Sequence, residues 1–167
     1  MVGRTTDLRR ALKEIFIPFV RERGFEIDNR HAPGFVDFRR ARGGRVEFLE
    51  IQWDNKGRPR FKFSFGSVAE AGSDCHGTRV AAGDVGPGQA PRYVSLFPNG
   101  NGSSTRHWFC QDNSFVKTVL SLRGSRPPEE VCIELLGFFP EVEAYFEYDA
   151  VGPHCRLFTT GFTDASA

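Results

Sequence analysis

The stretch Arg60-Phe61-Lys62-Phe63-Ser64-Phe65-Gly66-Ser67-Val68 places an aromatic ring at every second position from Phe61 to Phe65. A period of two is the spacing of a β-strand, whose successive side chains leave opposite faces of the sheet. Phe61, Phe63 and Phe65 therefore share an apolar face, and Lys62 and Ser64 point the other way, toward water. Such a strand must lay its aromatic face on a core, and the rest of the chain is read outward from it.

Upstream, Phe35 to Arg40 and Arg45 to Trp53 form two further strand-like runs joined through Arg42-Gly43-Gly44, a hairpin signature. Asp54-Asn55-Lys56-Gly57 turns the chain into the Phe-rich strand, and Phe25 to Asp28 adds a shorter piece. Together they predict an antiparallel meander. Ahead of them Leu8, Leu12, Ile15, Phe16 and Phe19 recur at helical spacing. The helix is expected to start from a cap at Thr5 or Thr6 beside Asp7, to kink at Pro18 and to stop at Gly24.

Downstream, residues 69–91 are rich in Gly, Ala, Ser and Asp and predict a long loop, the kind of segment that carries function or moves. Tyr93 to Phe97 and Thr105 to Cys110, linked through the Asn99-Gly100 and Asn101-Gly102 steps, predict a second hairpin. Ser114 can cap a short helix over Phe115, Val116, Val119 and Leu120. Pro127-Pro128-Glu129-Glu130 opens another that stops at Gly137, and Pro140 begins a last turn or two through Val142, Tyr145 and Phe146. Beyond Gly152-Pro153, His154 to Phe162 predicts an edge strand or a docked arm. The expected fold is α+β: an antiparallel meander sheet with a second hairpin, packed against an N-terminal amphipathic helix and two to three C-terminal helices. One domain over 1–167 is expected, with a core at 5–148 and a C-terminal arm at 149–167.

Bulk properties agree with one domain. The chain has 167 residues, a one-domain length, and 17 of them are Phe, each contributing about 1.5–3 kcal/mol when buried. No stretch approaches the ~18 apolar residues of a membrane span, and the start has no apolar signal-peptide core. The expected location is the cytoplasm, with Cys75, Cys110, Cys132 and Cys155 as reduced thiols. A net charge of +1 argues against a general nucleic-acid binder. That charge is uneven: residues 1–62 carry +6, residues 63–105 carry −1 and residues 106–167 carry −4. Either the basic front half packs against the acidic tail, which we favour, or the two signs mark a face for a protein partner or a second copy of the chain.

Several runs together resemble a known family. They are Leu8-Arg-Arg-Ala-Leu-Lys-Glu-Ile-Phe-Ile-Pro-Phe-Val-Arg-Glu-Arg-Gly-Phe25, Phe35-Val-Asp-Phe-Arg-Arg40, Phe48-Leu-Glu-Ile-Gln-Trp53 and Phe61-Lys-Phe-Ser-Phe-Gly66. Cys75-His-Gly-Thr-Arg79 and the aromatic pair Trp108-Phe109 follow. The chain is similar over roughly residues 5–145 to the family catalogued as domain of unknown function 4304; the tail from Asp149 has no counterpart there. The resemblance implies a bacterial, cytoplasmic α+β domain and no particular activity. Bacterial families of this style include immunity and other interaction proteins, which is an analogy of kind rather than of residues.

Candidate chemistry is sparse. Cys75-His76, His107-x-x-Cys110 and His154-Cys155 are zinc-type ligands, and Cys75, His76, His107 and Cys110 are the set a zinc site would draw on. His107 and Cys110 on one strand would face opposite ways, however, and adjacent residues seldom ligate one ion, so the expectation is no metal and no cofactor. Cys75 beside His76 is a nucleophile next to a base, yet no motif such as Gly-x-Ser-x-Gly supports it, so no catalytic residue is assigned. Asp37, Glu47, Glu50 and Asp54 among Arg39, Arg40, Arg45 and Arg60 read as cross-strand ion pairs rather than as paired acids for hydrolysis. Basic and aromatic residues interleave from Arg58 to Phe65 as in an RNA-stacking strand, but the rings share a face that Lys62 does not, which makes nucleic acid an unfavoured partner. Gly83-x-x-Gly86-x-Gly88 lacks the strand-then-helix setting of a phosphate loop. Two classes remain. The favoured one is a non-enzymatic protein-interaction module, immunity-like in kind, and the alternative is a small-molecule-binding or enzymatic domain. Its pocket would lie between the sheet and the 69–91 loop, lined by His76, Arg79, Arg106, His107 and Trp108.

Overall fold

The computed structural model describes residues 2–28, 33–100, 107–112 and 125–166. In chain order it comprises α1 (Val2–Ala11), a π turn (Leu12–Phe16), α2 (Ile17–Arg21), β1 (Glu26–Asp28), β2 (Phe35–Arg42), β3 (Arg45–Trp53) and β4 (Arg60–Ala69). There follow β5 (Ser73–Cys75), β6 (Thr78–Val80), β7 (Arg92–Leu96), β8 (Phe109–Cys110), α3 (Pro128–Gly137), α4 (Phe139–Tyr148), β9 (Cys155–Thr159) and β10 (Thr163–Asp164). The architecture is α+β. An antiparallel sheet in the order β1-β2-β3-β4-β7-β9, with β8 also on β4, is joined by a small sheet in the order β10-β5-β6.

The alternation in β4 has the consequence read from it. Phe61, Phe63 and Phe65 are buried opposite Trp53, Ile51 and Leu49 of β3. The helices cover this face: Phe16 meets the rings of Phe38, Phe63 and Phe139 edge-on at 5.6, 5.7 and 6.3 Å, and Leu8, Leu12, Val20, Leu135 and Val142 complete the core.

The first helix differs from expectation at both its start and its middle. It begins at Val2, and Thr5, instead of capping it, donates its hydroxyl to the Gly57 carbonyl at 2.7 Å. Docking on the β3–β4 turn thus outweighs the local capping preference. Pro18 does not simply kink the helix. The preceding turn widens over Leu12–Phe16, with the Ile17 N–H bonded to the Leu12 carbonyl, which makes room for a ring that would strike a normal turn. Gly24 is the stop, at φ +83°. The Phe25 N–H reaches the Val20 carbonyl at 3.1 Å and the Gly24 N–H the Arg21 carbonyl at 2.9 Å, a Schellman closure.

The expected hairpin between residues 93 and 110 is corrected. β7 and β8 both pair with β4, in line along one edge, through Ser64↔Ser95 and Phe61↔Phe109. Ten-residue β4 offers edge enough for both, and each brings buried residues (Val94, Leu96 and Phe109) onto the Phe face. The second hairpin is β5–β6, inside the segment expected to be a loop. Asn101-Gly102, and the helix expected from Ser114 over Phe115, Val116, Val119 and Leu120, lie outside the described residues. Pro128–Gly137 is helical as expected, α4 runs ten residues rather than a turn or two, and β9 is an edge strand on β7.

Residues 69–91 are largely built against the sheet. After the β5–β6 hairpin come single 3-10 turns at Ala82–Asp84 and Pro87–Gln89. Ala82, Val85 and Ala90 pack with Phe48 and Val68 into a second, smaller core on the face away from the helices. Arg39 clamps this cover, donating to the Val85 carbonyl at 2.8 Å and to Asp28 at 2.9 Å.

The uneven charge is met in part inside the molecule. Arg4 pairs with Asp112 (2.5 Å), Arg40 with Glu143 (3.0 Å) and Arg45 with Asp164 (3.1 Å), so the basic front half lies against the acidic tail, and Arg92 of the middle segment pairs with Asp149 (2.6 Å). Among the described residues, no helix is long and apolar enough to cross a membrane.

Candidate functional site

Strand pairing sorts the second face of the sheet into rows. One row is Asp37, Glu50, Ser64, Ser95 and Arg156, each directly opposite the next across five strands. On one side of it runs Arg39, Phe48, Gly66, Tyr93 and Phe158; on the other, Phe35, Gln52 and Lys62. The 82–91 cover packs on the aromatic row and leaves the polar row open. The result is a cleft of about 340 Å³ between the sheet and Pro87.

Its floor is the hydroxyl pair Ser64 and Ser95, whose oxygens lie 2.8 Å apart. Glu50 and Gln52 line one end and Arg156 the other, with Lys62 alongside. The Tyr93 and Phe158 rings stack at 5.0 Å and 12° to form one wall, and Phe97 with His107, edge-on at 5.7 Å, forms another. Gly66 is what admits the Phe48 ring beneath the aromatic row, since a Cβ there would lie 2.8 Å from Phe48 Cζ and 3.0 Å from the Arg92 carbonyl oxygen.

The charges here differ from those elsewhere on the sheet. Glu47 pairs with Arg40 and Arg42, and Asp54 with Arg58 and Arg60, so for these two acids the ion-pair expectation holds. Burial pushes the Asp54 carboxyl up, but the Arg60 bond and the backbone N–H groups of Lys56 and Arg58 outweigh it and hold the pKa at about 2. Glu50 goes the opposite way. Burial, then the Asp37 charge facing it across the ladder, raise its pKa to about 7 against the pull of Arg39. Burial, then the nearby Lys62 and Arg60 charges, lower the His107 pKa and so favour its neutral ring. Among the described residues, Lys62 and Arg156 have no carboxylate partner; Lys62 sits 4.7 Å from the Trp108 ring centre and Arg156 5.3 Å from that of Phe158.

Of the residues singled out from sequence, His107 lines the cleft, and Trp108 lies beside it, holding Lys62 and Arg60 over its ring. His76 occupies the β5–β6 turn and Arg79 donates to the Ser166 carbonyl at 2.6 Å; neither lines the cleft. Arg106 lies outside the described residues. The zinc alternative does not assemble: Cys75 is in β5, His76 in the turn after it, His107 in the cleft and Cys110 in β8 with its thiol on the Asp112 carbonyl. Among the described residues no three His, Cys, Asp or Glu are grouped to hold a metal ion. All four cysteines are free thiols, and burial pushes Cys132 and Cys155 up to about 12, so neither is reactive. Ser64, Ser95 and Arg156 were missed, and Glu50 was read as one of the ion-paired acids. Their signal was the polar parity of β3 and β4, and the strand order needed to extend it to β7 and β9 is not a local property.

Set against protein-family models, curated proteins and solved structures, the chain finds no match in any of the three comparisons.

Proposed function

We propose that this chain is a small-molecule-binding domain whose site is the cleft between the second face of the sheet and residues 69–91. The observation that carries this reading is the pairing of Lys62 and Arg156, cations without carboxylate partners among the described residues, with a Glu50 carboxyl that titrates near neutrality, around one hydroxyl floor. A row built only for stability would satisfy its charges within the sheet, as Glu47 and Asp54 do. A concave site with aromatic walls, a few convergent polar groups and a shifted pKa is the usual form of a ligand pocket. The interaction-module reading drew on the polarised charge, part of which is met by ion pairs inside the chain. The resemblance to domain of unknown function 4304, if taken with this reading, makes the cleft the place to look for that family's activity.

A thermal-shift screen of metabolites tests the proposal. A ligand that selects the folded state raises its stability by RT ln(1 + [L]/Kd). The expected result is a concentration-dependent rise in Tm that a Lys62→Ala/Arg156→Ala variant loses. A broad screen without any shift, or a shift unchanged in that variant, counts against it.

A further inference from the structure

We infer, resting on the cleft reading, that the ligand is an organic anion carrying a flat ring: its carboxylate or phosphate lies between Lys62 and Arg156, its ring against Tyr93 and Phe158, and its uncharged hydrogen-bonding end at Glu50. Spacing supports the length. Glu50 and Arg156 are three strand steps apart, roughly 14 Å between backbones, and side chains reaching in from both ends leave room for about one ring. Charge supports the sign. Lys62 and Arg156 are the cleft's fixed cations, each held over an aromatic ring, and Glu50 is the one carboxyl among its described lining residues. A guanidinium presents parallel N–H donors that a carboxylate or phosphate accepts two at a time and with charge assistance, which a neutral carbonyl lacks. The stacked Tyr93 and Phe158 rings offer a flat ligand the offset or edge-on contacts aromatic pairs prefer. Glu50 is partly protonated near neutrality, so the acidic end of the row can donate as well as accept a hydrogen bond and repels an anion less than a full carboxylate would.

The test uses fragments of one size on the full chain: benzoate and phenyl phosphate as anions, benzamide as the neutral match, benzamidine as the cation and cyclohexanecarboxylate as the anion without a flat ring. The readout is the backbone amide shifts of Ser64, Tyr93, Ser95 and Phe158. Benzoate and phenyl phosphate are expected to shift these amides saturably, and whichever binds more tightly tells carboxylate from phosphate. Arg156→Gln should weaken that binding roughly tenfold, the loss expected for one charge-assisted bond, and Lys62→Gln similarly. Arg156 is exposed on an edge strand, so its variant keeps the fold even where Lys62→Gln does not. Benzamide or benzamidine binding as tightly as benzoate overturns the anion assignment and leaves the cleft standing. Cyclohexanecarboxylate binding as tightly as benzoate overturns the flat ring. Silence from these amides with every fragment overturns the cleft reading itself.

Discussion

Glu47 and Glu50 stand three positions apart on β3, and that odd spacing puts them on opposite faces with opposite fates. Glu47 is only 4% exposed, yet Arg40 bonds it at 2.7 Å and Arg42 at 3.0 Å, so its charge is compensated. Glu50 faces Asp37 and Ser64, while Arg39, the guanidinium that attracts it, is committed to Asp28 and the Val85 carbonyl. Its pKa therefore rises from 4.5 to about 7. A raised folded-state pKa means that the folded chain binds more protons than the unfolded one between those values. Glu50's favourable contribution is thus complete below about pH 4.5 and is lost as pH rises through about 7. Glu50→Gln removes the liability: in urea unfolding the variant should exceed wild type by about 3 kcal/mol at pH 8, with the gain shrinking toward pH 5. A gain that does not change with pH would show that Glu50 is not the titrating group. The same proton bears on the cleft, since benzoate should bind wild type more weakly at pH 8 than at pH 6 and bind Glu50→Gln equally at both.

At the scale of elements, β4 organises both faces of the sheet, and Gly66 is where they compete for space. The Phe48 ring crosses Gly66 on the cleft side while Phe65 points into the helix-side core. In Gly66→Ala the new methyl must displace a buried ring or the β7 backbone, at a cost of about 1–3 kcal/mol. Gly66→Ala with Phe48→Leu, which shortens the ring's reach, should recover part of that loss in a double-mutant cycle; strict additivity of the two changes would argue against the clash. Much of this element was legible in the sequence, because alternation in Phe61, Phe63 and Phe65 is a local signal with one geometric reading. Gly24 and Gly43-Gly44 were legible for the same reason. The partners of β7 and β8 were not, because Asn99-Gly100 announces a turn but not which strand edge receives the chain next. Thr5 shows the same limit: its capping preference is local, and its bond to Gly57 comes from a turn some fifty residues on. The cleft was half legible. Lys62 and Ser64 fall on the correct face, but that face was assigned to water because its cover presents Ala82, Val85 and Ala90, small apolar residues without a period.

For the whole molecule, the sheet separates two cores of unequal size. The helix-side core gathers most of the large side chains, whereas the cleft-side core rests on Phe48, Val68, Ala82, Val85 and Ala90. The acidic tail fastens the larger body through Arg40–Glu143 and Arg92–Asp149, and the cover is fastened by Arg39, by Thr160 on the Ala90 and Pro91 carbonyls, and by its few apolar contacts. Burial stabilises in proportion to area, so the smaller core should open first and alone, as a sub-global unit. Val85 is the residue to test, being fully buried at the centre of the cover with its carbonyl held by Arg39. Val85→Ala removes two methyl groups and should weaken the cover by about 1–3 kcal/mol. In native-state hydrogen exchange the amides of Asp84, Gln89 and Ala90, bonded within the cover, should then exchange faster by roughly one to two orders of magnitude, while Leu49 and Phe63 in the central strands keep their protection. Because Pro87 forms one side of the cleft, benzoate affinity should fall with the cover's stability. If the central strands lose protection by the same factor as the cover, the two cores form one cooperative unit, and the cleft is as rigid as the sheet beneath it.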